Sequence, residues 1–316
     1  MKLLKQLYSI TATSRREKGM QAFIIERLKA MGIDYYVDRF GNISAVRGQS
    51  ENYPCIVSHI DEVHQKKPND YEIVRNGNML YGLSPSEHRF VGIGADDKNG
   101  IWVCLKCLET FQNIKCVFFA SEECGCLGSM EFDMTFFNNC RFVIECDRKG
   151  NSDCIVAINR MPLCSQEFIK AVKPEGVGYV LANGFTTDVY TLKMRGLDIS
   201  CLNLSCGYYN PHTDEEMTNF LDLNWCLRFV KQIIRRCKKT YPHEDIVAKR
   251  FEKRTAKKKR RTVKSPQSVQ QVYDLNETPS AVVPQDNASN NRSFRQFGEE
   301  NDFFADYHDK LFLDYA

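Results

Sequence analysis

The sequence has no continuous run of about eighteen apolar residues, the length that a membrane-spanning helix needs. Residues 1–6 also lack the long apolar stretch and the small-residue cleavage site of a secretory signal peptide. Neither sign of charge dominates, since 43 basic residues oppose 40 acidic ones among 316, and this excludes a polybasic or polyacidic chain. We therefore expect a cytoplasmic protein whose hydrophobic residues, 43% of the total, form a sizeable core.

Cysteine is absent from the C-terminal quarter, because all 14 cysteines lie between Cys55 and Cys237. Many of them sit in apolar runs and no export signal is evident, so we expect buried, reduced thiols instead of disulfides. Cys104 and Cys107 have the spacing of half a zinc knuckle, but they fall within a helical pattern that has no obvious second half.

The composition changes after His243, which predicts a folded domain over residues 1–243 and a mostly disordered tail over residues 244–316. Residues 249–264 hold ten basic side chains and one acid, so they suit nucleic acid, an anionic surface or a localisation signal, or form a solvated linker. Residues 298–316 are acidic and aromatic, which suits a protein partner or folding back on the basic run.

Short apolar runs alternate with helical patterns in the first 243 residues. Residues 54–58, 115–120 and 141–144 have the character of buried strands, and residues 14–31, 99–111 and 222–236 have that of helices. This alternation predicts an α/β fold, a three-layer sandwich with a mixed, largely parallel central sheet. Ligands of such sheets bind beyond the carboxyl ends of the strands.

Histidine and carboxylate side chains follow those strands or open the next helix. The set comprises His59, Asp61, Asp96, Asp97, Glu122, Glu123, Asp147 and His212. Taken singly, each is an ordinary loop residue, helix-start acid or solvated charge pair. Their occurrence together, in one order and without a thiolate, favours a catalytic zinc site.

These motifs resemble those of the co-catalytic zinc exopeptidases, the superfamily of single-domain aminopeptidases, peptidase T and related deacylases, over about residues 9–227. Three further segments support the likeness: residues 38–43, residues 125–129 and residues 186–188. The intervals from His59 to Asp96 and from Asp147 to His212 are too short for the domains that other branches insert. The chain is therefore similar to the compact type without a lid, although its Asp-Asp-Lys motif is closer to that of peptidase T.

The resemblance implies a site with two zinc ions, for which cobalt or manganese are possible substitutes. It implies that Asp96 bridges the metals and that the remaining ligands are His59, Glu123, Asp147 and His212. It also implies a cis peptide bond between Asp96 and Asp97.

The resemblance assigns further roles around those ligands. Glu122 is the expected general base, and Asp61 is expected to orient His59 through a hydrogen bond. Tyr208 or Tyr209 is expected either to stabilise the oxyanion or only to pack beside the site.

An aspartate at position 147 is typical of the aminopeptidases in this superfamily, so we expect N-terminal residues to be removed from small peptides. The alternative is an amidohydrolase that deacylates acylated amino acids at the same site. A third hypothesis, a metal-binding protein whose tail recruits partners, fits poorly with an intact Glu122. Because no lid is present to mediate dimerisation, a monomer is the default expectation.

Overall fold

A computed structural model describes residues 1–64, 67–159 and 161–243 of the chain. The predictions made for residues 244–316, including the basic run and the acidic-aromatic segment, lie outside these residues, and the domain boundary stays a prediction. The described residues form seven α-helices: α1 Lys2–Ser9, α2 Lys18–Ala30, α3 Ala95–Thr110, α4 Leu127–Glu131, α5 Gln166–Val172, α6 Asp188–Met194 and α7 Phe220–Arg236. None of them combines the length and apolar character required to cross a bilayer.

The strands form two sheets. Nine strands make the central sheet: β1 Asp34–Val37, β2 Ile43–Arg47, β3 Tyr53–His59, β7 Ile114–Phe119, β8 Cys140–Arg148, β9 Asp153–Ile158, β10 Met161–Pro162, β11 Val180–Gly184 and β12 Cys201–Ser205. Five others make a smaller sheet: β4 Glu72–Asn76, β5 Met79–Ser84, β6 Arg89–Val91, β13 Tyr208–Tyr209 and β14 Met217–Asn219.

Parallel strands occupy the middle of the central sheet, whose spatial order is β1-β2-β7-β3-β8-β12-β9-β10, with β11 beside β9. Strand β3 runs parallel to both β7 and β8, and β12 runs parallel to β8. Antiparallel strands lie toward both edges, where β2 pairs with β7 and β12 pairs with β9. The predicted mixed sheet is confirmed, and its parallel centre brings the carboxyl ends of β3, β7 and β8 to one edge.

Both faces of the sheet are covered, as the sandwich prediction requires. Side chains alternate along β3, so Ile56 enters a core shared with α1, α2, α3 and α7, while Cys55 and Val57 enter a core on the other side. Val189 and Leu192 of α6 belong to that second core. The edge of the sheet where β3, β7 and β8 end is therefore held between packed layers.

Three features differ from the sequence expectations. Helix α2 begins at Lys18 and not near Ser14, whose hydroxyl instead contacts the site. Helix α1 was not predicted, and neither was the smaller sheet, in which β14 pairs with β5 from far along the chain. Short strands with remote partners carry little local signal.

The cysteine prediction is largely confirmed. All 14 cysteines are free thiols, and 13 are buried. Cys124 is the exception, because its turn after β7 places it on the surface, so the expectation of a buried thiol was wrong for this residue.

Candidate metal centre and active site

Five candidate ligands come from five segments of the chain. His59 is the last residue of β3, Asp147 lies near the end of β8, and Glu123 follows β7. Asp96 is in the first turn of α3, and His212 lies in the loop between β13 and β14. The three strands are parallel neighbours, so their ends deliver these side chains to one place.

The donor atoms fall into two groups that share one carboxylate. His59, Asp96 and Asp147 form one group, and Asp96, Glu123 and His212 form the other, with the donor atoms of each within 4.8 Å of one another. Asp96 Oδ1 lies 3.1 Å from His59 Nε2, and Asp96 Oδ2 lies 3.4 Å from His212 Nε2. The two oxygens of one aspartate therefore face two separate donor groups, which is the arrangement that a bridging ligand needs. Imidazole nitrogens and carboxylate oxygens fit zinc, and also cobalt or manganese.

Strong electrostatic attraction holds the two histidines against these carboxylates. Burial by itself raises the pKa of Asp96, but hydrogen bonds from His212 and His59 outweigh it and keep that pKa well below its usual range. The contacts with Asp96 and Glu123 raise the pKa of His212 to about 10. The carboxylates that favour a protonated imidazole here also favour a divalent cation.

Asp61 connects the histidine to the glutamate loop. Its Oδ1 lies 3.3 Å from His59 Nδ1, and its backbone oxygen lies 3.1 Å from the same nitrogen. The carboxylate also accepts hydrogen bonds from the backbone N–H of Glu122 at 2.9 Å and of Glu123 at 3.2 Å, and from the Ser14 hydroxyl at 2.7 Å. One buried side chain thus orients His59 and fixes the loop that carries the paired glutamates.

Glu122 lies beside the donor groups without belonging to the two that share Asp96. Its carboxylate comes within 4.8 Å of the His59 and Glu123 donor atoms in a further group. Burial raises the pKa of Glu122 to about 9, and His59 acts in the opposite direction. A partly buried carboxyl at this position is suited to holding and releasing a proton.

The peptide bond between Asp96 and Asp97 is cis, as the resemblance implied. Asp97 itself belongs to none of the donor groups. Its carboxylate accepts hydrogen bonds from the backbone N–H of Gly100 at 2.9 Å and of His59 at 3.3 Å.

The two candidate tyrosines have different surroundings. The Tyr208 hydroxyl donates to Asp147 Oδ1 at 3.1 Å, while Thr187 donates to Asp147 Oδ2 at the same distance. The Tyr209 hydroxyl donates to Asp222 of α7 at 2.7 Å. Tyr208 therefore orients a metal-ligand candidate, and Tyr209 ties strand β13 to helix α7.

The whole described fold can be compared with known proteins. No protein-family model and no curated protein sequence matches the chain. Solved structures do match. Aminopeptidase PepT from Bacillus cereus superposes with a TM-score of 0.61 at 13% identity, covering 75% of this chain and 97% of that one. A tripeptidase from Staphylococcus aureus superposes with a TM-score of 0.59 at 15% identity, covering 74% of this chain and 96% of that one. An aminopeptidase from the archaeon Desulfurococcus kamchatkensis superposes with a TM-score of 0.58 at 16% identity, covering 74% of this chain and 93% of that one.

The chain has the fold of these aminopeptidase and tripeptidase structures. Its mixed, largely parallel sheet agrees with the fold that the resemblance implied. Within this fold, the described residues also reveal contacts around Asp96 that the motifs did not indicate.

Glu216 is the site residue that sequence reasoning missed. It is 1% exposed, and its carboxylate accepts hydrogen bonds from the backbone N–H of Gly94 at 2.5 Å and of Asp96 at 3.1 Å. His64 lies with Nε2 3.1 Å from Glu216 Oε2. Glu216 follows His212 by four residues, but an isolated glutamate has no local feature that marks it as buried.

Proposed function

We propose that this protein is a metal-dependent aminopeptidase that removes N-terminal residues from small peptides. The observation that carries the proposal is the pair of donor groups that share Asp96, with the partly buried carboxyl of Glu122 beside them. The fold adds support, since the similar structures include proteins described as aminopeptidases and a tripeptidase.

Five residues would hold the metals, with Asp96 between them. His59 and Asp147 would complete one coordination sphere, and Glu123 and His212 the other. Two zinc ions, when bound, supply Lewis-acid polarisation of the scissile carbonyl and lower the pKa of the attacking water. Cobalt and manganese suit the same donors.

The chain's own residues would move the proton. Glu122 would take it from the attacking water and pass it to the leaving amine. Asp61 would fix the position of the His59 imidazole relative to the Glu122 backbone during this transfer. Tyr208, through its bond to Asp147, is the nearer of the two tyrosines for contact with an oxyanion.

The deciding experiment measures metal content together with hydrolysis of unblocked and N-acetylated dipeptides. We expect about two zinc equivalents per chain, and cleavage only of peptides with a free amine. Cleavage of the acetylated set alone would instead support a deacylase of acylated amino acids. No cleavage of either set by the metal-loaded protein would contradict both activities.

A single substitution tests the role of Glu122. Glu122→Gln should lower kcat by roughly 100- to 10,000-fold and leave the metal content unchanged, since glutamine cannot take a proton. Glu131→Gln, at an exposed glutamate of the neighbouring helix α4, is the matched control. Unchanged turnover in Glu122→Gln would refute the assignment.

The remaining sequence predictions extend this proposal beyond the described residues. The basic run at 249–264 is a candidate for an anionic or protein partner, and the acidic-aromatic segment at 298–316 for a protein partner. A cytoplasmic location remains part of the proposal.

A further inference from the structure

A tight turn brings a cysteine back to the proposed general base. The backbone N–H groups of Gly125 and Cys126 donate to the Glu122 carbonyl at 2.8 and 2.7 Å. Cys126 adopts a left-handed conformation, with φ of 58°, just before α4 begins. The Ser129 hydroxyl donates to the Cys126 carbonyl at 3.1 Å. The position of residue 126 relative to residue 122 is therefore fixed by the backbone.

The side chains of the same two residues meet. Cys126 Sγ lies 3.3 Å from Glu122 Oε1, within hydrogen-bonding distance for a sulfur donor. Cys126 is only 2% exposed, and burial raises the pKa of its thiol, so the thiol keeps its proton and acts as a donor. Cys124, two residues earlier in the same turn, is exposed.

We propose that Cys126 is a positioning residue that holds the Glu122 carboxylate through an S–H···O hydrogen bond. The proposal rests on the function proposed above, in which Glu122 moves the proton. A hydrogen bond to the charged form of a carboxylate favours that form and restricts its rotation. An apolar side chain of similar size would fill the space but offer no donor, whereas serine offers an O–H from the same backbone position.

Three variants of the full chain test this role. Cys126→Ala should lower kcat by roughly five- to tenfold, with KM and zinc content unchanged. The reason is that the hydrogen bond that orients Glu122, which contributes about 1 kcal/mol, is lost. Cys126→Ser should restore kcat to within about twofold of the wild type, since it keeps a donor. Cys124→Ala, which removes the exposed thiol, is the control and should behave as wild type. Wild-type turnover in Cys126→Ala, or equal losses in the alanine and serine variants, would overturn the proposal.

A spectroscopic measurement separates this proposal from the proposed function. The wild-type minus Cys126→Ala infrared difference spectrum isolates one S–H stretching band of the zinc-loaded protein. We expect that band to move to higher frequency in Glu122→Ala, because the acceptor is gone. A band that does not move refutes the hydrogen bond whatever the activity. A band that moves in a protein without any peptidase turnover retains the bond and refutes the catalytic role that it would serve.

Discussion

The carboxylate of Glu216 is the structural support of the turn that carries Asp96, and its replacement by glutamine tests that support directly. Glutamine keeps the size of the side chain but has one acceptor oxygen where glutamate has two. Its NH2 group would then face a backbone N–H, either that of Gly94 or that of Asp96, so two donors would oppose each other at a position that is 1% exposed.

The expected loss can be worked out from these bonds. A hydrogen bond to a charged group contributes about 1.5–3 kcal/mol, and a buried donor left without a partner has a cost of similar size. Since 1.4 kcal/mol corresponds to a factor of ten, the loss of one bond to Glu216 corresponds to metal binding weakened roughly ten- to hundredfold. That range agrees with the effect of removing a group that orients a metal ligand.

The measurement is a zinc titration of the full chain against a competing chromophoric chelator. Glu215→Gln, the same substitution at the adjacent and exposed glutamate, is the control and should keep the wild-type affinity. If Glu216→Gln binds zinc as tightly as Glu215→Gln does, the turn that carries Asp96 does not depend on the Glu216 carboxylate.

Three further predictions concern single side chains. His212→Ala removes the imidazole of one donor group, so metal analysis should find about one zinc per chain in place of about two; two retained equivalents would contradict its role as a ligand. Burial raises the pKa of Asp188 to about 7 from an ordinary 3.8, so the stability of the metal-free protein should fall as pH rises from about 4 to 7. Asp188→Asn should flatten that fall in a series of Tm measurements, and an unchanged slope would speak against the buried acid. Phe118→Ala empties a fully buried position and should lower the free energy of unfolding by about 3–5 kcal/mol in a denaturant titration, whereas a loss below about 1 kcal/mol would be inconsistent with its burial.

The central sheet and the convergence of the ligand candidates could be predicted because their signals are local. A short apolar run predicts a buried strand. The residue that follows such a strand lies at the edge of the sheet, and this position does not depend on contacts with remote segments. His59 and Asp147 are of this kind, since each lies at the end of a parallel strand of that sheet.

Contacts between remote segments could not be predicted in this way. Glu216 reaches a backbone N–H that lies 122 positions away, and β14 pairs with β5 across a similar interval. Nothing in the local sequence distinguishes Glu216 from its exposed neighbour Glu215. The Cys126 contact has a short range, but it depends on a left-handed residue in a tight turn, a conformation that favours glycine and is not signalled by cysteine.

The free thiols are distributed so that their alkylation can report local unfolding of this protein. In the folded state an alkylating reagent meets Cys124, while the other 13 cysteines are shielded. Cys55 and Cys116 lie on adjacent central strands, and Cys237 lies at the end of α7. Each gains the mass of the label only when its own segment opens, so a labelling time course read by mass spectrometry would give the order in which sheet and helix come apart. No engineered probe is needed, because the native chain already distributes them through both cores.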